Sequence, residues 1–222
     1  MTDFTMSTDA DGIAVISWDC PDKSMNVLNW DALRMLDGLI EQVIADETIK
    51  GAIITSGKKD FAAGMDLNVL ADLRNASGDN PAQGIFDGVM QMHHILRKIE
   101  RAGMDVKTNK GGKPIVSVLP GTALGIGLEI PLATHRIFAA NNPKAKIGLP
   151  EILVGIFPGA GGTTRLIRKL GAMAASPYLL EGKTLAPAKA KGASIIDVVS
   201  DDPMSEAREV ILNATDADIV KP

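Results

Sequence analysis

The order of the predicted elements indicates an α/β fold with a mainly parallel sheet flanked by helices. Strand-like and helix-like segments alternate along most of the 222 residues. One strand-like segment, residues 114–119, is apolar without a break, which is typical of a strand in a sheet that helices cover on both faces. No repeat, low-complexity segment or change of composition marks a second domain.

The first half of the chain predicts a strand, a helix and a second strand, followed by two further helices. The strands at residues 12–18 and 51–55 are short, rich in β-branched residues and bounded by turn formers. Between them, residues 30–45 carry apolar side chains at helical spacing, and Asn29 can cap the helix N-terminus. The predicted elements that follow are a helix at 65–74, a polar loop at 75–81 and a helix at 84–102.

The second half continues this alternation after a polar loop at residues 106–112. The predicted elements are a strand at 114–119, a helix at 124–132, strands at 136–140 and near 146–147, and helices at 163–170 and 186–191. Residues 213–222 contain no convincing terminal element.

Composition and charge exclude several classes of protein. Lys and Arg number 23 against 27 Asp and Glu, and no basic run is present, which argues against a nucleic-acid binder. The longest stretch of low charge, residues 114–130, is interrupted by Pro120 and three glycines, so no membrane span is expected. The N-terminus lacks the regions of a secretory signal, and the single Cys20 fits a reducing, cytoplasmic compartment.

Common phosphate-binding and hydrolase motifs are absent from the sequence. The glycines of residues 121–127 do not have the G-x-G-x-x-G spacing, and neither G-x-x-x-x-G-K-[ST] nor G-x-S-x-G occurs. His93 and His94 fall within a predicted helix, where we expect one to be exposed and the other to lie in the core. Cysteine and histidine do not occur at zinc-ligand spacing. Neither a Ser/His/Asp triad nor a metal centre is therefore predicted.

Glycine concentrates at three junctions between predicted elements. The clusters are AAGMD at residues 62–66, GTALGIG at 121–127 and PGAGG at 158–162. At such junctions, free backbone N–H groups can point at a ligand oxygen and bind an anion or an oxyanion. For each cluster taken alone, a tight turn that needs glycine is the alternative.

Two glutamates lie in apolar sequence surroundings. Glu129 stands in the otherwise uncharged run 115–134, and Glu151 lies between Pro150 and the apolar run 152–157. Burial raises the pKa of a carboxyl, and two carboxyls with displaced pKa values are what general acid–base catalysis uses. The alternative is structural, with each glutamate capped or ion-paired.

Three segments, in order, resemble the enoyl-CoA hydratase/isomerase, or crotonase, superfamily. They are FAAGMDL (61–67), GTALGIGLEIPLATHRIFAA (121–140) and GLPEILVGIFPGAGGTTRL (148–166). The likeness includes KSMNVLN (23–29) and KPIVSVLPG (113–121), and it is greatest to the hydratase part of multifunctional fatty-acid oxidation α-subunits. The resemblance implies the crotonase (ClpP-like) fold of repeated ββα units, with a mainly parallel sheet flanked by helices.

The resemblance also implies a role for each motif. Backbone N–H groups of Met65 and Ile126 would form an oxyanion hole for a thioester carbonyl. Glu129 and Glu151 would hold one water, with the N–H of Gly159 as a third contact, and add it across the double bond of an enoyl thioester. Glu151 would protonate the α-carbon while Glu129 activates the water. No metal or redox cofactor is expected, and coenzyme A enters as part of the substrate.

Coenzyme A is expected along residues 23–27 and 63–67, mainly through backbone contacts. The implied substrate-binding residues are Lys23, Met25, Asn26, Ala63, Gly64, Asp66, Leu67 and Gly125. Lys23 can pair with a phosphate or be an ordinary solvated lysine. Asp66 can touch the substrate or cap the helix that it opens, where an acidic residue is stabilising.

The predicted function is hydration of trans-2-enoyl-CoA to 3-hydroxyacyl-CoA in fatty-acid β-oxidation. The presence of both glutamates favours hydration over double-bond isomerisation, which needs one carboxylate. A non-catalytic acyl-CoA-binding or assembly domain is the alternative from another class. The resemblance assigns residues 1–200 to the hydratase domain and 201–222 to the truncated start of a linker or trimerisation helix. Assembly as a homotrimer, a hexamer or part of a fatty-acid oxidation complex is expected.

Overall fold

A six-stranded sheet forms the centre of the protein in the computed structural model, which describes residues 2–66, 69 and 80–220. In chain order the strands of these residues are β1 (Phe4–Thr8), β2 (Ile13–Trp18), β3 (Val27–Leu28), β4 (Gly51–Ser56), β5 (Gly64–Met65), β6 (Ile115–Leu119), β7 (Ala123–Leu124), β8 (Arg136–Ala140), β9 (Ile147–Gly148) and β10 (Val198–Ser200). The sheet order is β1-β2-β4-β6-β8-β10, and its neighbouring strands are parallel except for the antiparallel β1–β2 pair. The predicted α/β class with a mainly parallel sheet is confirmed.

Helices pack around this sheet, and local sequence signals explain where two of them begin. In chain order the helices of the described residues are α1 (Trp30–Ala45), α2 (Pro81–Arg101), α3 (Ile126–Ala133), a 3-10 helix (Glu151–Val154), α4 (Gly162–Leu170), α5 (Ala172–Leu180), α6 (Pro187–Gly192), α7 (Pro203–Asn213) and α8 (Asp216–Ile219). Asn29 caps α1, as predicted, by accepting a hydrogen bond from the Ala32 N–H at 2.8 Å. Asn80 caps α2, which begins at Pro81 because the first helical position needs no N–H donor.

Apolar side chains bury the sheet on both faces. Ile53 and Ile54, which are neighbours on β4, belong to two different apolar cores because successive side chains of a strand point to opposite faces. The larger core joins one face to α1 through α6. The smaller core covers the other face with Ala207 and Ile211 of α7. All five residues of β6 are buried, which agrees with its uninterrupted apolar sequence.

Met65 begins no helix, contrary to the prediction for residues 65–74. It lies in β5 and pairs with Leu28 of β3, so a neighbouring strand satisfies the local backbone. Most other residues of that predicted helix, and most of the loop predicted at 75–81, lie outside the described part of the chain.

Leu124 also lies in a strand and not in the helix predicted for residues 124–132. It pairs with Gly148 in the short β7–β9 ladder. Gly125 then takes a positive φ of 57°, and α3 begins only at Ile126. The two short ladders are joined by a bridge between Ala62 and Ala123, which brings the first two glycine clusters side by side.

The structure contains β1, β10, α5, α7 and α8, none of which was predicted from the sequence. α8 lies within residues 213–222, for which no convincing terminal element was expected, and a capping box at Thr215 marks its start. β1 is an edge strand with one largely exposed face, so its apolar signal is weak. α7 packs on β4, β6 and β8 through Ala207 and Ile211, with Met204 and Val210 against the same core. The assignment of 201–222 to a separate terminal segment stays a prediction. No helix in the described ranges is both long enough and apolar enough to cross a membrane.

Candidate active site

The first two glycine clusters and Glu151 meet at the N-terminus of α3. A Cβ added to Gly125 would lie 3.7 Å from the Gly64 Cα and 3.2 Å from the Glu151 Oε1. Gly64 and Gly125 have φ angles of 123° and 57°, which L side chains rarely adopt. Glycine at 125 therefore leaves open the space that the Glu151 carboxyl borders.

Two backbone segments lie beside this space. Ile126 is the first residue of α3, so its N–H has no acceptor within the helix. Met65 follows Gly64 in β5, and the adjacent Ala63 and Asp66 N–H groups donate to Asn26 and Leu28 carbonyls, both at 2.9 Å. These bonds anchor the segment on both sides of Met65.

Glu129 is nearly inaccessible to solvent, at 3% exposure, and the third glycine cluster holds it in place. Its Oε1 accepts hydrogen bonds from the N–H groups of Ala160 at 2.9 Å and Gly162 at 2.8 Å. A Cβ at Gly162 would lie 2.8 Å from the Glu129 Cγ, so glycine is required for this approach. The cluster at 158–162 therefore forms a clamp for one carboxyl.

The electrostatic surroundings of Glu129 act in both directions. Burial raises the pKa of this carboxyl to about 7, and the negative charge of Glu151 contributes to the rise. The two N–H donors and the positive charge of Arg165 oppose it. Glu129 can therefore lose and regain a proton near neutral pH.

Glu151 has a different environment at the start of the 3-10 helix. Its Oε2 is buried and has no hydrogen-bond partner among the described residues. Burial raises the pKa of the carboxyl. A carboxyl with a buried, unpartnered oxygen is free to exchange a proton with a small molecule in the adjoining space.

Asn26 is occupied within the protein. Its Nδ2 donates to the carbonyls of Trp18 and Phe61 and to the Ser56 Oγ, each at 2.9 Å, while its Oδ1 accepts from the Cys20 N–H. The side chain is fully buried. It holds the segment before β3 in position, while the backbone carbonyl binds the Ala63 N–H.

The described ones among the other predicted substrate-binding residues of segments 23–27 and 63–67 differ in exposure. Lys23 is exposed and forms an ion pair with Asp66 at 3.0 Å. The Asp66 carbonyl also accepts from the Val69 N–H. Met25 is half-buried, Ala63 is exposed, and Leu67 lies outside the described residues. Their contacts with a substrate stay predictions.

A family model for enoyl-CoA hydratase/isomerase matches residues 8–217 of the chain. The chain belongs to the enoyl-CoA hydratase/isomerase family. The family resemblance inferred from the glycine clusters and the two glutamates is thereby confirmed.

Individual relatives agree with this family assignment. The fatty acid oxidation complex subunit alpha of Shewanella halifaxensis is 33% identical over 195 residues, covering 87% of this chain and 25% of that protein. The chain thus spans about a quarter of the length of this curated relative.

Solved structures of family members have the same fold. An enoyl-CoA hydratase from Geobacillus kaustophilus has a TM-score of 0.76 at 29% identity, covering 94% of this chain and 71% of the other. One from Thermoplasma volcanium has a TM-score of 0.79 at 26% identity, covering 100% and 79%. The predicted crotonase fold is therefore confirmed.

Two charged residues next to the third glycine cluster, Arg165 and Glu100, were not identified from the sequence, and His93 was not assigned a role there. Arg165 donates to the Ala160 carbonyl and pairs with Glu100, and the His93 ring hydrogen-bonds to the backbone of Gly159. Of the two histidines, His94 is exposed and His93 is half-buried, so neither lies fully in the core. In the described ranges, no group of three or more His, Cys, Asp and Glu side chains could hold a metal ion.

Proposed function

We propose that this family member hydrates trans-2-enoyl-CoA to 3-hydroxyacyl-CoA. The observation that supports this most directly is the pairing of a clamped carboxyl, Glu129, with an unclamped one, Glu151, beside the N-terminus of α3. A hydration reaction needs two proton transfers, one from the attacking water and one to the α-carbon. Two carboxyls with raised pKa values can share these tasks near neutral pH.

The thioester carbonyl is proposed to bind at the backbone N–H groups of Met65 and Ile126. These donors stabilise the negative charge that develops on the carbonyl oxygen when the β-carbon is attacked, and such a donor contributes roughly 3–4 kcal/mol. Because both donors belong to the main chain, methionine and isoleucine can serve at these positions.

The water is proposed to lie between Glu129 and Glu151, with the Gly159 N–H as a third contact. Glu129 accepts a proton as the water oxygen bonds to the β-carbon, and Glu151 donates a proton to the α-carbon. The hydroxyl and the added hydrogen together make up one water, so no redox step is involved. The starting state returns when Glu129 loses its proton and Glu151 takes one up. The negative charge of Glu151 raises the pKa of Glu129, so ionisation of Glu151 favours the protonated form of Glu129.

Coenzyme A is proposed to lie along residues 23–27 and 63–67, the first of which is anchored by Asn26. Lys23 is exposed and can exchange its ion pair with Asp66 for a phosphate of the ligand. The relative from Shewanella halifaxensis is named as a subunit of a fatty acid oxidation complex. We therefore propose β-oxidation as the pathway, with an oligomer or a multienzyme complex as the assembly.

The test is the ultraviolet absorbance of the conjugated enoyl thioester when purified protein is mixed with crotonyl-CoA or a longer trans-2-enoyl-CoA. We expect absorbance to fall as 3-hydroxyacyl-CoA forms, and the Glu129→Gln/Glu151→Gln double variant to abolish the fall. Tight binding of an acyl-CoA without any turnover would identify a binding or assembly domain instead.

A second substrate separates hydration from isomerisation. With a 3-enoyl-CoA, an isomerase produces the conjugated 2-enoyl thioester and the absorbance rises. We expect no such rise at a rate comparable with hydration. Rapid isomerisation together with slow hydration would contradict the proposal and favour the isomerase branch of the family.

A further inference from the structure

Ala160, whose N–H binds the Glu129 carboxyl, is itself held by a hydrogen bond to its carbonyl. The N–H of Ala160 donates to the Glu129 Oε1 at 2.9 Å, and the carbonyl of Ala160 accepts from the Arg165 Nη1 at 3.1 Å. Displacement of Ala160 would therefore move a hydrogen-bond donor of the carboxyl. Arg165 is linked to Glu129 through one residue of backbone.

The turn around Gly161 is shaped to admit the guanidinium of Arg165. Gly161 has a φ of 99°, and a Cβ there would collide with the Arg165 Nη1. Arg165 lies in the first turns of α4, and helical side chains lean towards the helix N-terminus, which brings its end back to this turn. The Arg165 side chain is only 10% exposed, so its conformation is restricted.

Glu100 of α2 anchors the guanidinium. Its Oε2 lies 3.3 Å from the Arg165 Nη2 and 2.6 Å from the Arg97 Nη1, and its side chain is 5% exposed. Breaking a buried ion pair by removal of one partner leaves an uncompensated buried charge. The pair therefore holds Arg165 where it meets Ala160.

His93 supports the same turn from α2. Its ring lies 3.4 Å from the position of a Cβ on Gly161 and hydrogen-bonds to the Gly159 backbone. Burial lowers the pKa of His93, and the positive charge of Arg165 adds to the effect. The imidazole is therefore neutral around neutral pH, and the charge that acts on this turn is that of the ion pair.

We propose that Arg165, anchored by Glu100, is a positioning residue that fixes the Ala160–Gly162 turn and so holds the Glu129 carboxyl for its reaction. The proposal rests on the proposed function for its kinetic consequences, but the arrangement of Glu129 can be measured without substrate. The described contacts of Arg165 are with Ala160 and Glu100, so it acts on Glu129 through the turn.

The charged groups around Glu129 set the sign of the expected titration. Glu151 faces it from the 3-10 helix and raises its pKa, whereas Arg165 of α4 lowers it. Glu100 and Arg97 act through their pairing with Arg165. Removal of the guanidinium should therefore raise the pKa of Glu129. Removal of its anchor Glu100 should shift this pKa in the same direction, because Arg165 is then no longer held beside Ala160.

The experiment is a carbon NMR titration of protein labelled with carbon-13 at the glutamate carboxyls, without substrate. The Glu129 signal among the eight glutamates is identified by its loss in Glu129→Gln. We expect the titration midpoint to move to higher pH in Arg165→Gln and, by a smaller amount, in Glu100→Gln. Arg168→Gln, which removes a positive charge one turn further along α4, is the matched control and should not move it.

Arg165→Lys distinguishes the effect of the guanidinium contacts on the turn from the effect of the positive charge at residue 165. Lysine keeps the positive charge but lacks the planar fork that reaches Ala160 and Glu100 together. We expect kcat for enoyl-CoA hydration to fall on the order of ten- to hundredfold, because small misplacements of reacting groups cost this much, while KM changes little. Arg168→Gln should keep the wild-type kcat.

Several outcomes would overturn the proposal. A Glu129 midpoint that is the same in wild type, Arg165→Lys and Arg165→Gln would do so, as would an unchanged kcat in Arg165→Lys. If Arg165→Gln does not fold, Arg165→Lys and Glu100→Gln decide the question. If the wild-type protein hydrates no enoyl-CoA, the proposed function fails, while the NMR midpoints still test the positioning role.

Discussion

The two glutamates occupy contrasting regions of the site. Glu129 lies within the fully buried helix α3, and two N–H groups of a distant glycine turn bind one of its oxygens. Glu151 begins a 3-10 helix without fully buried residues, and its Oε2 has no partner in the described part of the chain. One carboxyl is fixed by the fold, and the other is left available.

The different burial of the two glutamates is set by the segments that surround them. Both glutamates adjoin apolar sequence, but the run after Glu151 is largely on the surface, with Leu153 at 69% and Phe157 at 73% exposure. The run around Glu129 is internal because α3 packs between the sheet and other helices. Apolar sequence therefore predicts burial for Glu129 correctly and overstates it for the residues that follow Glu151.

The largest expected effect is the loss of hydration activity when Glu151 is replaced. Glu151→Gln preserves the size of the side chain but removes its proton transfer, so we expect kcat for hydration to fall at least about a thousandfold. Binding of a saturated acyl-CoA, measured by calorimetry, should stay close to that of wild type. A near-normal hydration rate in this variant would refute the role assigned to Glu151.

Ionisation of the buried Glu129 carboxyl should lower the free energy of unfolding. Because the folded-state pKa of Glu129 is about 7, above the ordinary value of 4.5, the folded state binds its proton more tightly than the unfolded state. The stability that the protonated Glu129 contributes to the folded state is fully present below pH 4.5 and is lost as pH rises to about 7. Ionisation of Glu129 therefore costs about 3 kcal/mol of stability.

Urea unfolding of Glu129→Gln and wild type at acidic and mildly alkaline pH tests this cost. The amide keeps an oxygen for the N–H groups of Ala160 and Gly162 and never ionises. We expect the variant to gain stability relative to wild type as pH rises through 4.5 to 7. A stability difference that does not vary with pH would show that Glu129 titrates normally.

Gly127→Val tests the N-terminus of α3, where the Ile126 N–H is the proposed oxyanion donor. A Cβ at Gly127 would lie 2.8 Å from the Ala62 Cβ and 3.0 Å from the Ala62 carbonyl oxygen, so valine must displace the N-terminus of α3. We expect weaker acyl-CoA binding and a loss in kcat/KM on the order of a hundredfold, as for removal of an oxyanion donor. Unchanged kinetics in a folded Gly127→Val protein would contradict the proposed donor at Ile126.

His94→Ala has the smallest expected effect. His94 is exposed on α2, next to the half-buried His93, and it contacts neither glutamate in any described hydrogen bond. We expect kcat and its pH dependence to match those of wild type. Loss of a pH-dependent step in this variant would reopen a mechanism that uses histidine.

Local signals account for much of the fold that was predicted. Asn29 caps α1 because its side chain reaches an N–H three residues away, and β6 is apolar throughout because both of its faces are covered. Met65 and Leu124 were assigned to helices because short strands give no periodic signal of their own. Their strand pairing depends on Leu28 and Gly148, which are distant in sequence.

The residues of the candidate site could also be identified from the sequence, but their arrangement in space could not. The three glycine clusters and the two glutamates identified the family, and the family model and relatives confirm that assignment. The roles of Met65, Ile126 and Gly159 stay predictions. Arg165 gave no signal because an arginine on a short helix is usually a solvated residue.

By itself, the sequence determined which groups are available: glycines where the backbone must approach closely, and two carboxyls in apolar surroundings. Only the tertiary structure decided that Glu129 is clamped, that Glu151 keeps an unpartnered oxygen and that Arg165 meets Glu100. Caps, turns and periodicity act over a few residues, so a sequence displays them. Burial and charge coupling depend on partners from distant segments, such as Ala160 and Gly162, which lie 31 and 33 residues from Glu129.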